Sequence, residues 1–493
     1  MFARELFAGQ LASHACLVPD RLAVQSEAGD MTYAGLVREV ASLTSRLQDS
    51  DVAVVALAEL PPAQWLCWDL ALLAAGCVCV PVPGFFSGTQ VQHLLQQTGA
   101  GLIVGQTQLP DTVLAALGFT PGDLGWQRRL APRPLPAGTA KITFTSGTTG
   151  QPKGVCLSSQ ALLTVANSLE QATAFMPLDT HLSLMPMPVL LENLGVWAAL
   201  KRGATIQFPA VNVLSGSREE AQRFVKAVAS SDAGSMILVP QLLDILLAAT
   251  ASGFTMPASF SFIAVGGGRV PLSSLARATA LGWPVYEGYG LSECASVVAL
   301  NTPYHQRVGT VGKPLSHVQV TLADDGEILV SGAGVLGYLD APHDPRQPWP
   351  TGDIGHFENG FLVIHGRKKH QFITAYGRNV NPEWVESELC STGVIRQALV
   401  WGEGLSVNLA VLTPSSDSIP DVQLQQAVDQ VNQSLPDYAR VSRWCRARES
   451  FTTANGLLTS NGRVRRQEII AAYADFFSSP AMHSHHPTSV ECV

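Results

Sequence analysis

The segment Thr145-Ser-Gly-Thr-Thr-Gly-Gln-Pro-Lys-Gly154 constrains this chain more than any other. Ahead of it, Lys141 to Phe144 is rich in β-branched and aromatic residues and predicts a short strand. The chain then enters a loop of hydroxyl side chains, three glycines and one lysine. Glycine lets the backbone turn its N–H groups onto an anion, and the hydroxyls and Lys153 add donors and a positive charge. That is the composition of a phosphate cradle. Its spacing, Gly147-x-x-Gly150-x-x-Lys153, departs from the G-x-x-x-x-G-K-[ST] loop, and the helix breaker Pro152 stands directly before the lysine.

Three further motifs follow in order. Tyr286-Glu-Gly-Tyr-Gly-Leu-Ser-Glu293 comes after an apolar, strand-like run and Pro284. Trp349-Pro-Thr-Gly-Asp353 and Gly366-Arg-Lys-Lys369 lie further on. Singly, each has an ordinary reading: Asp353 as a turn residue after a glycine, residues 367–369 as a solvated basic patch. Together, and in this order, they form a pattern.

The pattern closely resembles the AMP-forming acyl-adenylate superfamily of acyl-CoA synthetases, peptide-synthetase adenylation domains and firefly-type luciferases. The resemblance begins at Pro19-Asp-Arg-Leu-Ala-Val24 and runs to about residue 470. It implies a use for each motif. Thr145, Ser146, Gly147, Thr148, Thr149, Gly150 and Lys153 cradle the phosphates of ATP. Tyr289 stacks on adenine, in a motif shared with Gly290 and Ser292, where Ser292 keeps the hydroxyl of the usual threonine. Gly267, within Gly266-Gly-Gly268, packs against adenine. Glu293 helps hold Mg²⁺, a hard cation usually shared between carboxylate and phosphates. Asp353 accepts from the ribose hydroxyls, and Arg367 adds contacts there. Lys369 matches the hinge about which a small domain swings, and Gly377 the glycine along a pantetheine tunnel. The implied reaction joins a carboxylic acid to AMP with loss of pyrophosphate. The acyl group then passes to a pantetheine thiol, that of CoA or of a holo acyl carrier protein.

Two departures stand out. Where relatives carry Gly-Lys near the C-terminus, this chain reads Gly462-Arg463-Val-Arg465-Arg466. Arg463 keeps the charge but offers a planar fork in place of a compact ammonium. It is the expected working cation, with Arg465 or Arg466 as substitutes and a catalytically impaired nucleotide binder as the remaining alternative. Thr374 stands where several CoA-ligase relatives have lysine. The acyl pocket is expected around Met187, Leu190, Leu191 and Glu192. Amino-acid-activating relatives place an aspartate early in this segment, whereas here it is apolar, and an ammonium buried without a partner is costly. A fatty or other uncharged acid is therefore expected. Glu192, the one acid available, is a lesser candidate for amine recognition.

The 493 residues, 46% hydrophobic and 14% charged, supply a large core and more than one domain. A net charge of −8 without a basic stripe argues against nucleic-acid binding. Residues 1–16 carry charges and no long apolar run, so they do not read as a signal peptide. Residues 66–83 are apolar, but Asp69 interrupts them and glycine and prolines bound them, so they predict a buried helix running into a strand, not a membrane span. Nine scattered cysteines without ligand spacing suit reduced thiols in a cytoplasmic protein. The expected fold class is α/β. A large N-terminal domain of layered α/β sheets with a small β-barrel covers residues 1–366, a small α+β domain on a hinge covers 367–475, and a tail covers 476–493. Within the small domain, Asn381-Pro382-Glu383 predicts a helix start.

Overall fold

The computed structural model describes residues 2–129, 133–145, 152–213, 217–452, 455–458, 464–478 and 489–490. The chain divides into two compact units. The first is built from Met1–Gly267, Leu281–Thr321 and Leu329–Trp349, the second from Gly268–Ala280, Leu322–Ile328 and Pro350–Val493.

Two sheets organise the first unit. In one, seven described strands run in the order Thr120–Gly122, Gly125–Gln127, Leu102–Val104, Val54–Leu57, Val78–Pro81, Thr139–Thr145, Lys153–Ser158. Its four middle strands are parallel, and the last two form an antiparallel hairpin. In the other, nine strands run from Lys313–Pro314 through Ser296–Leu300, Val285–Leu291, Phe262–Val265, Ser235–Leu238, Thr180–Leu182, Thr205–Phe208 and Leu22–Ser26 to Met31–Thr32. The expected α/β alternation is therefore present, with apolar parallel strands at the centre of each sheet.

The helix Pro62–Ala75 shows why the apolar run 66–83 is not a membrane span. Pro62 opens it, Gly76 at φ 79° closes it in the left-handed region, and the chain re-emerges as the strand Val78–Pro81. Trp65, Leu66, Leu70 and Leu72 are all buried, and so is Asp69, at 1% exposure. Among the described residues no helix is long and apolar enough to cross a membrane.

Asp69 is the centre of a polar cluster inside this apolar core. The Lys141 ammonium lies 2.8 Å from its Oδ1. Asn193 Nδ2 and Trp197 Nε1 donate to its Oδ2 at 2.8 and 3.1 Å. Lys141 also donates to Asn193 Oδ1 at 2.5 Å and sits 4.8 Å from the Trp197 ring centroid. Cys79 faces Lys141 across the parallel ladder. Burial and then the Asp69 charge push its thiol well above the usual range. Lys141 and Cys79 belong to the seven-stranded sheet, whereas Asn193 and Trp197 lie on the helix Leu190–Arg202, which connects two strands of the nine-stranded sheet. The cluster thus ties the two layers together.

In the second unit, strands Ile395–Trp401, Asn408–Pro414, Val441–Arg446 and Ser489–Val490 form a mixed sheet. Val385, Leu389, Val400, Leu412, Leu424, Val428 and Trp444 fill the space between this sheet and the helices Pro382–Ser391 and Asp421–Ser434. The predicted helix start is made as expected, with Asn381 Oδ1 accepting from the Glu383 N–H at 3.1 Å. Phe476 and Phe477, read from sequence as the start of a polar tail, are buried with Phe451, Ile469 and Tyr473. Two adjacent aromatics outweigh the serine-rich composition that follows them. The segment expected as a small barrel is a four-stranded sheet of Gln319–Leu322, Glu327–Ser331, Trp349–Glu358 and Phe361–Arg367. Its predicted Asp325–Gly326 turn is present, and Gly326 N–H donates to the Ala323 carbonyl at 2.9 Å.

Removing one member of the buried pair tests the cluster. Lys141→Met leaves the Asp69 charge without its cation and is expected to cost about 3–5 kcal/mol, on the order of 10 °C in melting temperature. Lys141→Met combined with Asp69→Asn is expected to be milder than Lys141→Met alone, because no buried charge remains. Thermal unfolding of both variants measures the difference.

Candidate functional site

Thr145 and Lys153 are the closing pair of the hairpin between Thr139–Thr145 and Lys153–Ser158. The ladder therefore presents the intervening loop at the sheet's end. Ser146, Gly147, Thr148, Thr149 and Gly150 lie outside the described residues. Behind the hairpin, the chain around residue 338 runs against the second strand. Cys156 N–H donates to the Gly337 carbonyl at 2.9 Å and Leu339 N–H to the Gly154 carbonyl at 3.0 Å. Gly154 permits this approach, since a Cβ there would collide with Leu339 and crowd Ile142 and Phe144.

Tyr338 is thereby brought to the hairpin, and sequence reading missed it. The Lys153 ammonium lies 5.6 Å from the Tyr338 ring centroid, and the Tyr338 hydroxyl donates to Glu293 Oε1 at 2.6 Å. Lys153 and Glu293 stand 140 positions apart in sequence order of number, yet one aromatic side chain touches both. Its sequence signal was weak: a lone tyrosine in Gly337-Tyr338-Leu339, without chemistry of its own. Cys156, on the same strand as Lys153, is buried, and burial pushes its thiol up to about 11.

Glu293 occupies the 3₁₀ turn Ser292–Cys294 that joins the antiparallel strands Val285–Leu291 and Ser296–Leu300. Ala295 and Ser296, at φ 54° and 89°, take left-handed conformations to reverse the chain there. Such backbone strain is tolerated where the surroundings fix it. Tyr289 and Gly290 lie on the strand entering this turn, Tyr289 half-buried. A side chain at Gly290 would collide with the Ser296 carbonyl, so glycine is required by the hairpin itself. Gly267, at φ 78°, follows the neighbouring parallel strand Phe262–Val265. These residues and Glu293 come from the nine-stranded sheet, whereas Thr145 and Lys153 come from the seven-stranded one.

Met187 and Leu190 are buried in the apolar core of the first unit, with Leu191 packed against it. Glu192 is fully buried in the first turn of the helix Leu190–Arg202. Neither of its oxygens has a hydrogen-bond partner. Its neighbour is His181, whose Nε2 lies 3.6 Å from Glu192 Oε1 and whose Nδ1 is 3.0 Å from Ser235 Oγ.

In the second unit, Asp353 and Arg367 face each other across an antiparallel ladder, with Arg367 Nε 2.7 Å from Asp353 Oδ1. Asp353 is buried, and its N–H donates to Thr351 Oγ1 at 3.1 Å. Lys369 lies in the turn that leaves the Phe361–Arg367 strand. The next residue, His370, meets Glu383 at 2.6 Å. Burial opposes the Glu383 charge, but His370, Arg466 and Arg367 outweigh it and hold the carboxyl below its usual range.

Thr374 closes a tight turn: Gly377 N–H donates to its carbonyl at 2.9 Å and Arg378 N–H to its hydroxyl at 3.3 Å. Gly377 has φ 70°, and nothing lies within 4 Å of a Cβ placed there. The turn's conformation, not crowding, requires that glycine.

The arginine run sorts itself. Arg466 binds Glu386 through two contacts of 2.8 and 2.7 Å and donates to the Val400 carbonyl at 2.6 Å. Arg465 donates to the Gly456 carbonyl at 3.1 Å and to Glu468 at 3.0 Å. Both proposed substitutes are thus committed to the fold of their own unit. Arg463 lies outside the described residues.

Glu293 suits a hard cation, since its carboxylate is a hard ligand and Tyr338 engages one oxygen. Among the described residues no group of three or more His, Cys, Asp or Glu could hold a metal ion by itself. A cation at Glu293 would therefore draw its other ligands from phosphates and water, as Mg²⁺ commonly does.

Comparison with known proteins bears on the whole chain. Residues 11–339 match the AMP-binding enzyme family and residues 369–479 the AMP-binding enzyme C-terminal domain. A long-chain-fatty-acid–CoA ligase, FadD15 of Mycobacterium tuberculosis, is 26% identical over 83% of this chain and 85% of its own. A 2-succinylbenzoate–CoA ligase of Enterococcus faecalis is 28% identical over 65% of this chain and 68% of its own. Among solved structures, the O-succinylbenzoate coenzyme A synthetase of Bacillus subtilis in complex with AMP superposes with a TM-score of 0.75 at 21% identity. It covers 93% of this chain and 97% of its own. An anthranilate CoA ligase in complex with anthranoyl-AMP reaches 0.79 at 17% identity, over 94% of this chain and 96% of its own.

Arg466→Ala removes the partner of a carboxylate that is one-tenth exposed. It is expected to destabilise the second unit by about 3 kcal/mol, whereas Arg465→Ala, at a more exposed pair, is expected to cost under about 1 kcal/mol. Denaturant unfolding followed by the fluorescence of Trp444 and its neighbours checks the order.

Proposed function

The chain belongs to the AMP-binding enzyme family as an AMP-forming acid–CoA ligase, and from that premise we propose that the acid it activates is fatty or otherwise uncharged. The observation that carries this reading is the apolar setting of Met187 and Leu190. Both are buried among apolar side chains, and Glu192, the nearest acid, already faces His181. His181 Nε2, 3.6 Å from Glu192 Oε1, gives that carboxyl a polar neighbour within the protein. A substrate ammonium is then not needed there, and an apolar acyl chain is what the remaining surface favours.

In the proposed mechanism, a carboxylate oxygen of the substrate attacks the α-phosphorus of ATP. The bond to the bridging oxygen breaks, and pyrophosphate departs with its electron pair. Lys153 and the loop donors from Thr145 to Gly150 hold the phosphates and offset charge on their oxygens, so that catalysis is mainly positioning and electrostatic stabilisation. Bound at Glu293, Mg²⁺ would neutralise phosphate charge. Tyr289, Gly290 and Gly267 would take the adenine and Asp353 with Arg367 the ribose. We assign the late cation to Arg463, because its neighbours Arg465 and Arg466 are engaged elsewhere. In the second step a thiol attacks the acyl carbon, the thioester forms, and AMP leaves. Lys369 would serve as hinge, with Gly377 beside the pantetheine. CoA and a holo carrier protein offer the same thiol, and incubation with each separates the two acceptors.

Acid-dependent pyrophosphate–ATP exchange tests this function. Lys153→Ala, Glu293→Ala and Arg463→Ala are each expected to lower exchange by about 10²-fold or more. Arg463→Ala should spare transfer from supplied acyl-AMP to thiol. Wild-type exchange in all three would overturn the site. Across a panel of acids, specificity is expected to rise roughly fourfold per added methylene until the pocket is full. Preference for a free α-amino acid, lost on Glu192→Gln, would overturn the substrate class and make Glu192 an ammonium partner.

A further inference from the structure

We propose that Tyr338 is a positioning residue of the phosphate site, a spacer that keeps the cationic Lys153 and the anionic Glu293 apart and correctly aimed. The inference rests on the reading that these two residues serve ATP and its cation. Left to themselves, an ammonium and a carboxylate at the same site attract each other and pair. Once paired, each would have to be separated before it could serve phosphate or metal. Tyr338 contacts both and prevents that collapse by giving each a different part of itself. The ring faces the Lys153 ammonium at 5.6 Å from the centroid, within the range of a cation–π contact. The hydroxyl donates to Glu293 Oε1 at 2.6 Å, a length typical of O–H···O⁻ bonds. A carboxylate has about four acceptor positions on two oxygens, so this bond orients Glu293 without using up its capacity for a cation.

Tyr338 is itself fixed by three independent features. Its backbone bridges to Val155 in antiparallel register, two residues beyond Lys153. Its ring meets the Trp349 ring edge-on at 5.8 Å. Gly154 lets the 337–339 segment lie close to the hairpin, as described above. Its position is therefore set by the same strand that sets Lys153. This is the arrangement expected of a preorganised electrostatic site, in which the supporting side chain is locked by its own packing.

The test separates hydroxyl from ring. Tyr338→Phe keeps the ring and its packing on Trp349 but loses the bond to Glu293. Tyr338→Ala loses both. Equilibrium dialysis with labelled ATP, in EDTA and in excess Mg²⁺, reads binding without requiring turnover. For Tyr338→Phe the affinity in EDTA should stay within about twofold of wild type, while the Mg²⁺-dependent gain falls about tenfold, as expected for loss of one charge-assisted hydrogen bond. For Tyr338→Ala both should fall, because Lys153 is then free to pair with Glu293. Adding Glu293→Gln to Tyr338→Ala should restore binding in EDTA. An unchanged Mg²⁺-dependent gain in Tyr338→Phe would overturn the spacer role while leaving the ATP site standing. ATP binding that responds neither to Mg²⁺ in the wild type nor to Lys153→Ala would overturn the site itself, and the inference with it.

Discussion

The buried contact between Asp69 and Lys141 is the interaction on which the first unit depends. Two charges removed from water cost several kcal/mol each, and their attraction offsets this only when the remaining donors and acceptors are satisfied. Here they largely are: the carboxylate receives Lys141, Asn193 and Trp197, and the ammonium rests against Asn193 and an indole face. A well-packed apolar cluster could supply comparable stability. What a directional network adds is register, since only one placement of the helix Leu190–Arg202 on the seven-stranded sheet satisfies all its members.

That register matters because the candidate site is divided between the two layers. Lys153 and Thr145 stand at the end of one sheet, and Glu293, Tyr289 and Gly267 stand on the other. Lys141 is on the very strand that leads into Thr145, four residues earlier, so its side chain and that of Thr145 emerge from the same face. Asn193 is next to Glu192, in the helix whose first turn carries the expected acyl wall. A shift of either element would be felt at the phosphate loop and the acyl segment together. Tyr338 performs a similar service at shorter range, with its backbone on the hairpin and its hydroxyl on the turn of the other sheet.

What was legible in the sequence was local. The α/β alternation, the 62–81 helix and strand, the Asn381 cap and the Asp325–Gly326 turn each depend on a few neighbouring residues, and all are present. Residues whose partners are distant were only partly legible or unseen. Asp69 reads as an interruption that spoils a membrane span, which is correct but stops short of its role, because Lys141, Asn193 and Trp197 come from two other elements. Glu192 sits in the first turn of its helix, but its neighbour His181 lies on a strand and cannot be seen from the helix's own sequence. Gly377 stands at φ 70°, a turn conformation that its sequence neighbours alone did not announce. Tyr338 carries only a weak signal, since a tyrosine becomes informative only when the residues it touches on both sides are known.

The arginine run shows how structure narrows a choice that sequence leaves open. Three arginines within four residues are equivalent on charge. They are not equivalent once partners are assigned. Arg466 closes a bidentate contact with Glu386, whose Oε1 also receives the Val400 N–H at 2.6 Å. Recruiting it for chemistry would strand a carboxylate that is one-tenth exposed, a cost larger than most gains from one extra phosphate contact. Arg465 holds the chain at Gly456 and pairs with Glu468 at the start of the helix Arg466–Ala472. Both therefore have structural partners among the described residues of their own unit. With Arg465 and Arg466 so engaged, the departure from the lysine of similar enzymes rests on one side chain. The guanidinium at 463 offers several donors in a fixed plane where an ammonium would offer a compact charge. Its consequence should then appear as altered efficiency of one half-reaction, not as loss of the site.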